Sequence, residues 1–169
     1  LIRRLKTKGH AVRCILTRGG AQFVTSMSLS TLSEDKVYAD LFSLSDECEI
    51  GHIELSRDAD LLVVAPATAD IIAKMRAGIA DDLATTTLLA TNIPIMIAPA
   101  MNVRMWEHPA NQENIAILRA RGVTLIGPED GEMACGEYGM GRMSEPEAIT
   151  NAIKKLIQEK NSRDAAINS

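Results

Sequence analysis

The sequence predicts an α/β fold in which a doubly wound parallel sheet is covered by helices on both faces, giving three layers α/β/α. Segments with helical character alternate with short apolar runs along the chain. Two of these runs, DLLVVA at 60–65 after its initial aspartate and PIMIA at 94–98, are continuously apolar. Continuous apolar strands are typical of a sheet buried on both faces, and strands alternating with helices form parallel sheets.

The first third of the chain predicts a helix, a strand and a second helix. The helix covers 1–8 and ends where Gly9 can adopt a left-handed conformation. The apolar run AVRCILT predicts a strand at 11–17, and a further helix is expected to begin within 19–25. Residues 30–50 are of mixed character and predict loops with short elements.

The remaining elements follow from breakers and capping residues. Gly78 and Gly122 each close a helix, and Asp81 and Asp82 open one, because aspartate is a preferred capping residue. The last helix has glutamate at its start and lysines later, as the helix dipole favours. The predicted elements are helices at 69–77, 81–90, 112–121 and 145–159 and strands at 60–65, 94–98 and 123–126.

The length of 169 residues predicts one domain, covering 1–160, with 161–169 as a frayed polar tail or the start of a linker. A doubly wound sheet usually opens on a strand, whereas this chain opens on a helix. We therefore expect the first strand to be missing.

Composition excludes several classes of function. Eighteen basic and 22 acidic residues are interspersed, with a net charge of −4, so no nucleic-acid partner is expected. The apolar stretches are about half as long as a membrane span requires, so no membrane partner is expected. Three cysteines without a C-x-x-C pair predict neither a metal site nor a disulfide framework. Reduced thiols fit a cytoplasmic protein.

Candidate binding residues lie where the predicted strands end, after Thr17, Ala65 and Ala98, because ligands bind at the carboxyl ends of such strands. Thr68 can cap the following helix, whose amino end offers N–H groups to a flavin edge or a phosphate. An ordinary helix start explains the same residues. The Asn102 amide can hold a carboxylate without carrying charge, although asparagine is also common in turns.

Two further side chains are candidates for moving protons. His52 is a candidate because an unperturbed histidine exchanges protons near neutral pH, and Cys135 lies in a glycine-rich segment that predicts a mobile lid. The alternatives are an ordinary surface histidine and a flexible surface hairpin with an incidental cysteine. Trp106, the single tryptophan, is either a core residue or an apolar plug at an interface.

Five ordered motifs carry a resemblance that covers about 1–155. They are GHIEL at 51–55, APATAD at 65–70, GIADDL at 78–83, PAMNVRMW at 99–106 and ACGEYGMGRM at 134–143. With these motifs the chain resembles the homo-oligomeric flavin-containing cysteine decarboxylases, which implies a Rossmann-like or flavodoxin-like fold. The first strand of that family, with its phosphate-binding turn, has no counterpart here.

The resemblance implies a role for each matching residue. His52 is a base or proton relay, Asn102 binds the substrate carboxylate, and Cys135 protonates the intermediate that forms the product. The implied FMN contacts are Thr17, Gly19, Thr68, Ala69, Asp70, Ile71 and Ala100. The implied substrate contacts are Asn102, Met105, Ala134, Gly136 and Arg142.

The resemblance also implies a reaction. The expected substrate is 4′-phosphopantothenoylcysteine, an intermediate of coenzyme A biosynthesis, and the products are 4′-phosphopantetheine and CO₂. FMN oxidises the cysteine side chain to a thioaldehyde, CO₂ leaves, and the enethiolate is reduced again. Trimers or dodecamers are expected, and a fused or associated phosphopantothenate–cysteine ligase. The alternatives are a decarboxylase of a peptide's carboxy-terminal cysteine and a non-enzymatic regulatory subunit.

Overall fold

The computed structural model describes residues 1–40, 55, 57–132 and 136–167. The helices of these residues are α1 (Ile2–Thr7), α2 (Ser26–Ser33), α3 (Ala69–Ala77), α4 (Leu83–Ala90), α5 (Val103–Glu107), α6 (Pro109–Ala120) and α7 (Pro146–Ile167). The strands are β1 (Cys14–Ile15), β2 (Val37–Tyr38), β3 (Leu62–Ala67), β4 (Ile95–Pro99), β5 (Thr124–Leu125), β6 (Glu129–Glu132) and β7 (Tyr138–Arg142).

Parallel pairing dominates the described strands. A three-stranded sheet has the order β3-β4-β5, and Val64 lies opposite Ile97, which in turn lies opposite Leu125. Strands β1 and β2 form a second parallel pair. Strands β6 and β7 form an antiparallel hairpin. The predicted α/β fold with parallel strands is therefore confirmed, and the carboxyl ends of β3 and β4 meet at one edge.

Strand β4 separates two cores, because its side chains alternate between the two faces of the sheet. One core contains buried side chains from β4, α1 and α7, namely Met96, Ala98, Leu5, Ile149 and Ile153. The other contains side chains from β3, β4, α3 and α6, namely Ala67, Ile97, Ile72, Ile115 and Leu118. Helices thus cover both faces, which confirms the predicted three layers.

The predicted capping residues at several helix ends are confirmed, although α4 begins at Leu83 rather than at 81. Gly9, Gly78 and Gly122 have positive φ angles of 81°, 71° and 88° at the ends of α1, α3 and α6. Asp82 caps α4 with a side-chain oxygen that accepts from the backbone N–H of Thr85 at 2.7 Å. Such caps satisfy N–H groups that have no partner inside the helix.

Two predictions in the first third of the chain are wrong in extent. Ladder pairing is confined to Cys14 and Ile15, because the partner strand β2 is itself only two residues long. The helix expected within 19–25 is only a single 3₁₀ turn, Gly20–Gln22, and α2 begins later, at Ser26. Thr25 fixes that start, since its hydroxyl oxygen accepts from the backbone N–H of Ser28 at 3.1 Å.

Other differences lie further along the chain. Helix α6 begins three residues earlier than predicted, because His108 caps it and Pro109 fits its first position. Helix α5 was not predicted. Helix α7 continues to Ile167, so the polar segment from 161 is helical there rather than frayed, and the Lys160 ammonium lies 3.2 Å from the Asp60 carboxylate. A domain boundary after 160 stays a prediction. None of the helices in the described ranges is long and apolar enough to cross a membrane.

Candidate active site

Three chain segments meet at the carboxyl edge of the sheet. The backbone N–H of Ala100, just after β4, donates to the carbonyl oxygen of Ala67 at the end of β3, at 3.0 Å. The next N–H, that of Met101, donates to the carbonyl oxygen of Gly141 in β7, also at 3.0 Å. These two bonds join the turn after β3, the loop after β4 and the hairpin into one site.

Thr68 forms the first wall of the site, at the start of α3. Its hydroxyl oxygen accepts from the backbone N–H of Ile71 at 3.3 Å, which confirms the predicted cap. The N–H groups of Ala69 and Asp70 belong to the first turn, where the helix itself offers no acceptor. They are therefore suited to an anion or to the polar edge of a flavin.

Lys74 anchors this end of α3 to the turn that follows the helix. Its ammonium lies 3.2 Å from carboxylate oxygens of both Asp70 and Asp81. Hydrogen bonds to Asp81 and then Asp70 raise the pKa of Lys74 above its ordinary value. The Asp70 side chain is thereby paired with Lys74, and the flavin contact expected of this residue stays a prediction.

The turn after β1 is the second place predicted for a flavin. The Thr17 hydroxyl oxygen accepts from the backbone N–H of Gly20 at 3.0 Å, which fixes the turn. Among the described residues, Gly19 and its two chain neighbours aside, no atom lies within 4 Å of the position that a Cβ on Gly19 would occupy. Segment 65–69 carries only alanine, proline and threonine. The open space at Gly19 and the small side chains at 65–69 fit a flat group that approaches the backbone closely.

Asn102 is the best-defined polar side chain of the site, and it caps α5. Its Oδ1 accepts from the backbone N–H of Arg104 at 2.7 Å. Its Nδ2 donates to a carboxylate oxygen of Glu137, which immediately precedes β7. The bond to Arg104 fixes which end of the amide is the acceptor, so the donor end of Asn102 faces the hairpin.

The loop that carries Asn102 is held from below by Asn111 of α6, a residue only 6% exposed. The Nδ2 of Asn111 contacts the Met101 sulfur at 3.4 Å and donates to the carbonyl oxygen of Trp106 at 3.2 Å. Trp106 is partly buried and packs against the core formed by β3, β4, α3 and α6, while the choice between a core residue and an apolar plug at an interface stays open. Asn111 therefore ties both ends of segment 101–106 to one helix.

The hairpin packs tightly on α5. A Cβ placed on Gly139 would lie 2.8 Å from a methyl carbon of Val103, so only glycine fits there. Beside this contact is an open cleft of about 310 Å³, lined by Val103, Arg104, Glu107, Glu137 and Tyr138. Met105, a predicted substrate contact, lies on α5 and is half exposed.

The other predicted site residues are not all gathered here. Arg142 pairs with two carboxylates, since its guanidinium lies 2.6 Å from Glu145 and 3.8 Å from Glu129. Substrate binding by Arg142 would therefore require exchange of these partners. Gly136 is exposed and has a φ angle of 79°. His52, Ala134 and Cys135 lie outside the described residues, and their roles stay predictions.

Three residues of the site were not predicted from the sequence. Glu137 lies inside the quoted motif at 134–143, but nothing in its spacing indicates a contact with Asn102, which is 35 residues away. Arg104 orients Asn102 through its backbone, which any residue other than proline could do. Asn111 resembles an ordinary polar residue of a surface helix, and only its burial distinguishes it.

Comparison with known proteins connects this geometry to a family. The model of the family described as Flavoprotein matches residues 1–158. This chain belongs to the flavoprotein family. The match includes all three segments that meet at the carboxyl edge of the sheet.

One curated relative is similar to almost the whole of this chain. The flavoprotein chain is 43% identical over 167 residues to the coenzyme A biosynthesis bifunctional protein CoaBC of Vibrio vulnificus (strain YJ016). The alignment covers 99% of the chain but 42% of that relative, so the chain spans about two fifths of the curated protein.

Two solved structures are similar over nearly their whole length. A Cys-to-Ser variant of PPC decarboxylase, complexed with pantothenoylaminoethenethiol, is 31% identical with a TM-score of 0.79, and the match covers 93% of this chain and 88% of that one. The FMN-binding protein AtHal3 is 33% identical with a TM-score of 0.76, and the coverage is 94% and 88%. The Rossmann-like or flavodoxin-like fold that the motifs imply is thereby confirmed.

Proposed function

We propose that this flavoprotein chain catalyses the FMN-dependent decarboxylation of 4′-phosphopantothenoylcysteine to 4′-phosphopantetheine and CO₂ in coenzyme A biosynthesis. The observation that carries the proposal is the oriented amide of Asn102, which holds a carboxylate at the carboxyl edge of the sheet. The similarity to CoaBC and to PPC decarboxylase supports the same substrate.

The proposed cofactor is FMN. The similar protein AtHal3 is an FMN-binding protein, and the small residues at 65–69 with the first-turn N–H groups of α3 fit such a group. Backbone groups of Thr68, Ala69, Asp70, Ile71 and Ala100, with the turn at Thr17 and Gly19, would hold it. When bound, FMN supplies the oxidation and the reduction between which CO₂ is lost.

The residues of the chain position the substrate and move protons. Asn102 holds the carboxylate through a neutral donor, which does not over-stabilise a group that must leave as CO₂. We assign the proton transfers to His52 and Cys135, since a histidine and a thiol can both exchange protons near neutral pH. Further substrate contacts are assigned to Met105, Ala134, Gly136 and Arg142.

We further propose that the chain works as a trimer or dodecamer in the cytoplasm, with a phosphopantothenate–cysteine ligase domain fused or associated. The CoaBC relatives are bifunctional proteins of more than twice the matched length, which supports the ligase. The side chains of Phe23 and Met27 are 90% and 78% exposed. Large apolar side chains that are exposed only four residues apart in the sequence support their burial against another subunit.

Substitution of Asn102 by aspartate tests the proposed carboxylate site. The change removes the donor and adds a charge of the same sign as the substrate carboxylate. We expect kcat/KM for CO₂ release to fall by about tenfold to a hundredfold, since hydrogen bonds to charged groups contribute about 1.5–3 kcal/mol. Asn92→Asp is the matched control, because Asn92 is exposed and lies before the opposite end of β4. Equal loss in both variants, or none in Asn102→Asp, would contradict the role.

Substitution of Cys135 by serine tests the proposed proton donor and the substrate. We expect turnover of 4′-phosphopantothenoylcysteine to be lost while flavin absorbance is retained. Full turnover by Cys135→Ser would exclude the assigned role. A peptide with a carboxy-terminal cysteine, supplied to the wild type in parallel, separates the two decarboxylase alternatives by the ratio of the kcat/KM values. A protein that binds flavin but turns over neither substrate would favour the regulatory alternative.

A further inference from the structure

Glu137 and Asn102 form a contact whose chemistry matches the proposed reaction. The donor end of the Asn102 amide, which the proposed function assigns to the substrate carboxylate, holds a carboxylate that belongs to the protein itself. The second carboxylate oxygen of Glu137 lies 4.0 Å from the Arg104 guanidinium. One internal carboxylate thus faces two donors at the position proposed for the substrate's carboxylate.

We propose that Glu137 is an internal stand-in for the substrate carboxylate, held by Asn102 in the substrate-free protein and displaced when substrate binds. The inference rests on the proposed function of Asn102. It makes Glu137 a determinant of affinity that selects for ligands with a carboxylate, because only such ligands replace the hydrogen bond that is broken. A ligand without a carboxylate has no group that competes for the Asn102 donor.

The backbone geometry allows this exchange without movement of the hairpin. Strand β7 is fixed by the Met101–Gly141 hydrogen bond and by the close packing of Gly139 on Val103. Neither contact involves Glu137. Its side chain is partly exposed beside the open cleft, so it can turn into solvent while β7 stays in place.

The energies of the contacts that Glu137 makes with Asn102 and Arg104 also favour exchange. The Arg104 side chain is 81% exposed, so its ion pair with Glu137 contributes little and is screened by salt. The bond from Asn102 has an ionised acceptor and is therefore roughly twice as strong as a neutral one. A substrate carboxylate forms the same kind of bond with Asn102, so exchange at that donor costs little.

An internal stand-in and a permanent positioning role predict opposite changes in substrate affinity when Glu137 is replaced by glutamine. If Glu137 competes with substrate, Glu137→Gln weakens the competitor and tightens substrate binding. If Glu137 instead held Asn102 in place throughout turnover, the same substitution would weaken binding. Glu132→Gln is the matched control, because Glu132 lies on the other strand of the same hairpin and is exposed.

The experiment measures dissociation constants by anaerobic calorimetry on protein whose FMN has been reduced with dithionite, because reduced FMN cannot oxidise the substrate thiol and the substrate therefore keeps its carboxylate. For 4′-phosphopantothenoylcysteine we expect Glu137→Gln to lower Kd by roughly fivefold, the difference between a charge-assisted and a neutral hydrogen bond. For 4′-phosphopantetheine, which lacks the carboxylate, we expect no change in Kd. An unchanged or higher Kd for the carboxylate ligand, or an equal change for both ligands, would overturn the proposal.

Crystal structures separate this proposal from the proposed function. We expect Glu137 on Asn102 in the substrate-free protein and away from it when a carboxylate is bound. Absence of CO₂ release by the wild type would contradict the proposed function instead. Crystals soaked with N-acetylcysteine would then decide about the stand-in, because a Glu137 that stays on Asn102 beside a bound carboxylate overturns it.

Discussion

At the scale of single residues, the direction of a side-chain amide decides what Asn102 can bind. An amide has a donor end and an acceptor end, and the Arg104 backbone N–H occupies the acceptor end. The sequence was sufficient to nominate Asn102, because an amide at a strand end is suited to a carboxylate. It could not predict Glu137 or Asn111, since contacts between residues distant in sequence depend on how the hairpin and α6 pack.

The structure predicts that the thiol of Cys14 reacts slowly in the folded protein. Burial raises the pKa of the Cys14 thiol above its ordinary value, the hydrogen bond with Ser33 opposes this, and the Asp35 charge adds to it. The thiolate fraction at neutral pH is therefore reduced. The folded state also holds the thiol proton more tightly than the unfolded state, so this group lowers the free energy of unfolding once pH rises above the ordinary thiol pKa.

We expect iodoacetamide at pH 7.5 to modify Cys14 in native protein slower by about tenfold or more than in urea-unfolded protein, since access and thiolate fraction both fall. Mass spectrometry of the peptide that contains Cys14 measures both rates, and the unfolded sample is the control. Equal rates in the two samples would show that Cys14 is not buried as described.

At the scale of elements, local signals predicted the helices better than the strands. The glycine and aspartate caps of α3, α4 and α6 act within a few residues, so the sequence contains them. The extent of a strand depends on its partner, and β1 is short because β2 offers only two residues. The sequence did not decide whether the glycine-rich segment around Cys135 is a mobile lid or a surface hairpin, because its glycines permit several conformations. The packing of β7 on α5 is a tertiary contact that the sequence does not reveal.

Substitution of Gly139 tests the packing of the hairpin on α5. An alanine there would place its Cβ 2.8 Å from Val103 and would have to adopt a φ angle of 149°. We expect Gly139→Ala to lower the free energy of unfolding by about 2–4 kcal/mol, from overpacking and backbone strain together. Urea denaturation followed by circular dichroism measures the change.

Gly131→Ala is the control, because Gly131 pairs with Gly139 across the hairpin but its added Cβ would make only an ordinary 3.5 Å contact with Arg142. We expect that variant to remain within about 1 kcal/mol of wild type. Val103→Ala in the Gly139→Ala background should recover part of the loss. Equal destabilisation by both glycine substitutions would mean that the contact with Val103 is not the cause.

At the scale of the whole molecule, the fold class was the most predictable property. Continuous apolar strands can be buried only when both faces are covered, so the three layers follow from the composition of two short segments. The number of subunits has no comparable signal, because an interface is about as apolar as the rest of the surface. Exposure of Phe23 and Met27 becomes visible only in the folded chain.

Native mass spectrometry tests the proposed assembly and cofactor together. We expect subunit numbers that are multiples of three and one FMN per chain. Protein stripped of flavin by a chaotrope, then incubated again with FMN, is the control for specific binding. A monomer without flavin after this treatment would contradict both proposals for the chain as given.

Strand β4 links the two cores to the site. Met96 and Ala98 contact one layer of helices and Ile97 contacts the other, and the strand leads within three residues to Asn102. A change of side-chain volume on one face displaces the strand toward the other, because both interiors are closely packed. In a redesign of the cores for thermal stability, a larger side chain on one face of β4 would therefore need a smaller one on the other face. Without that compensation, the shift of β4 would move Asn102 and alter substrate affinity.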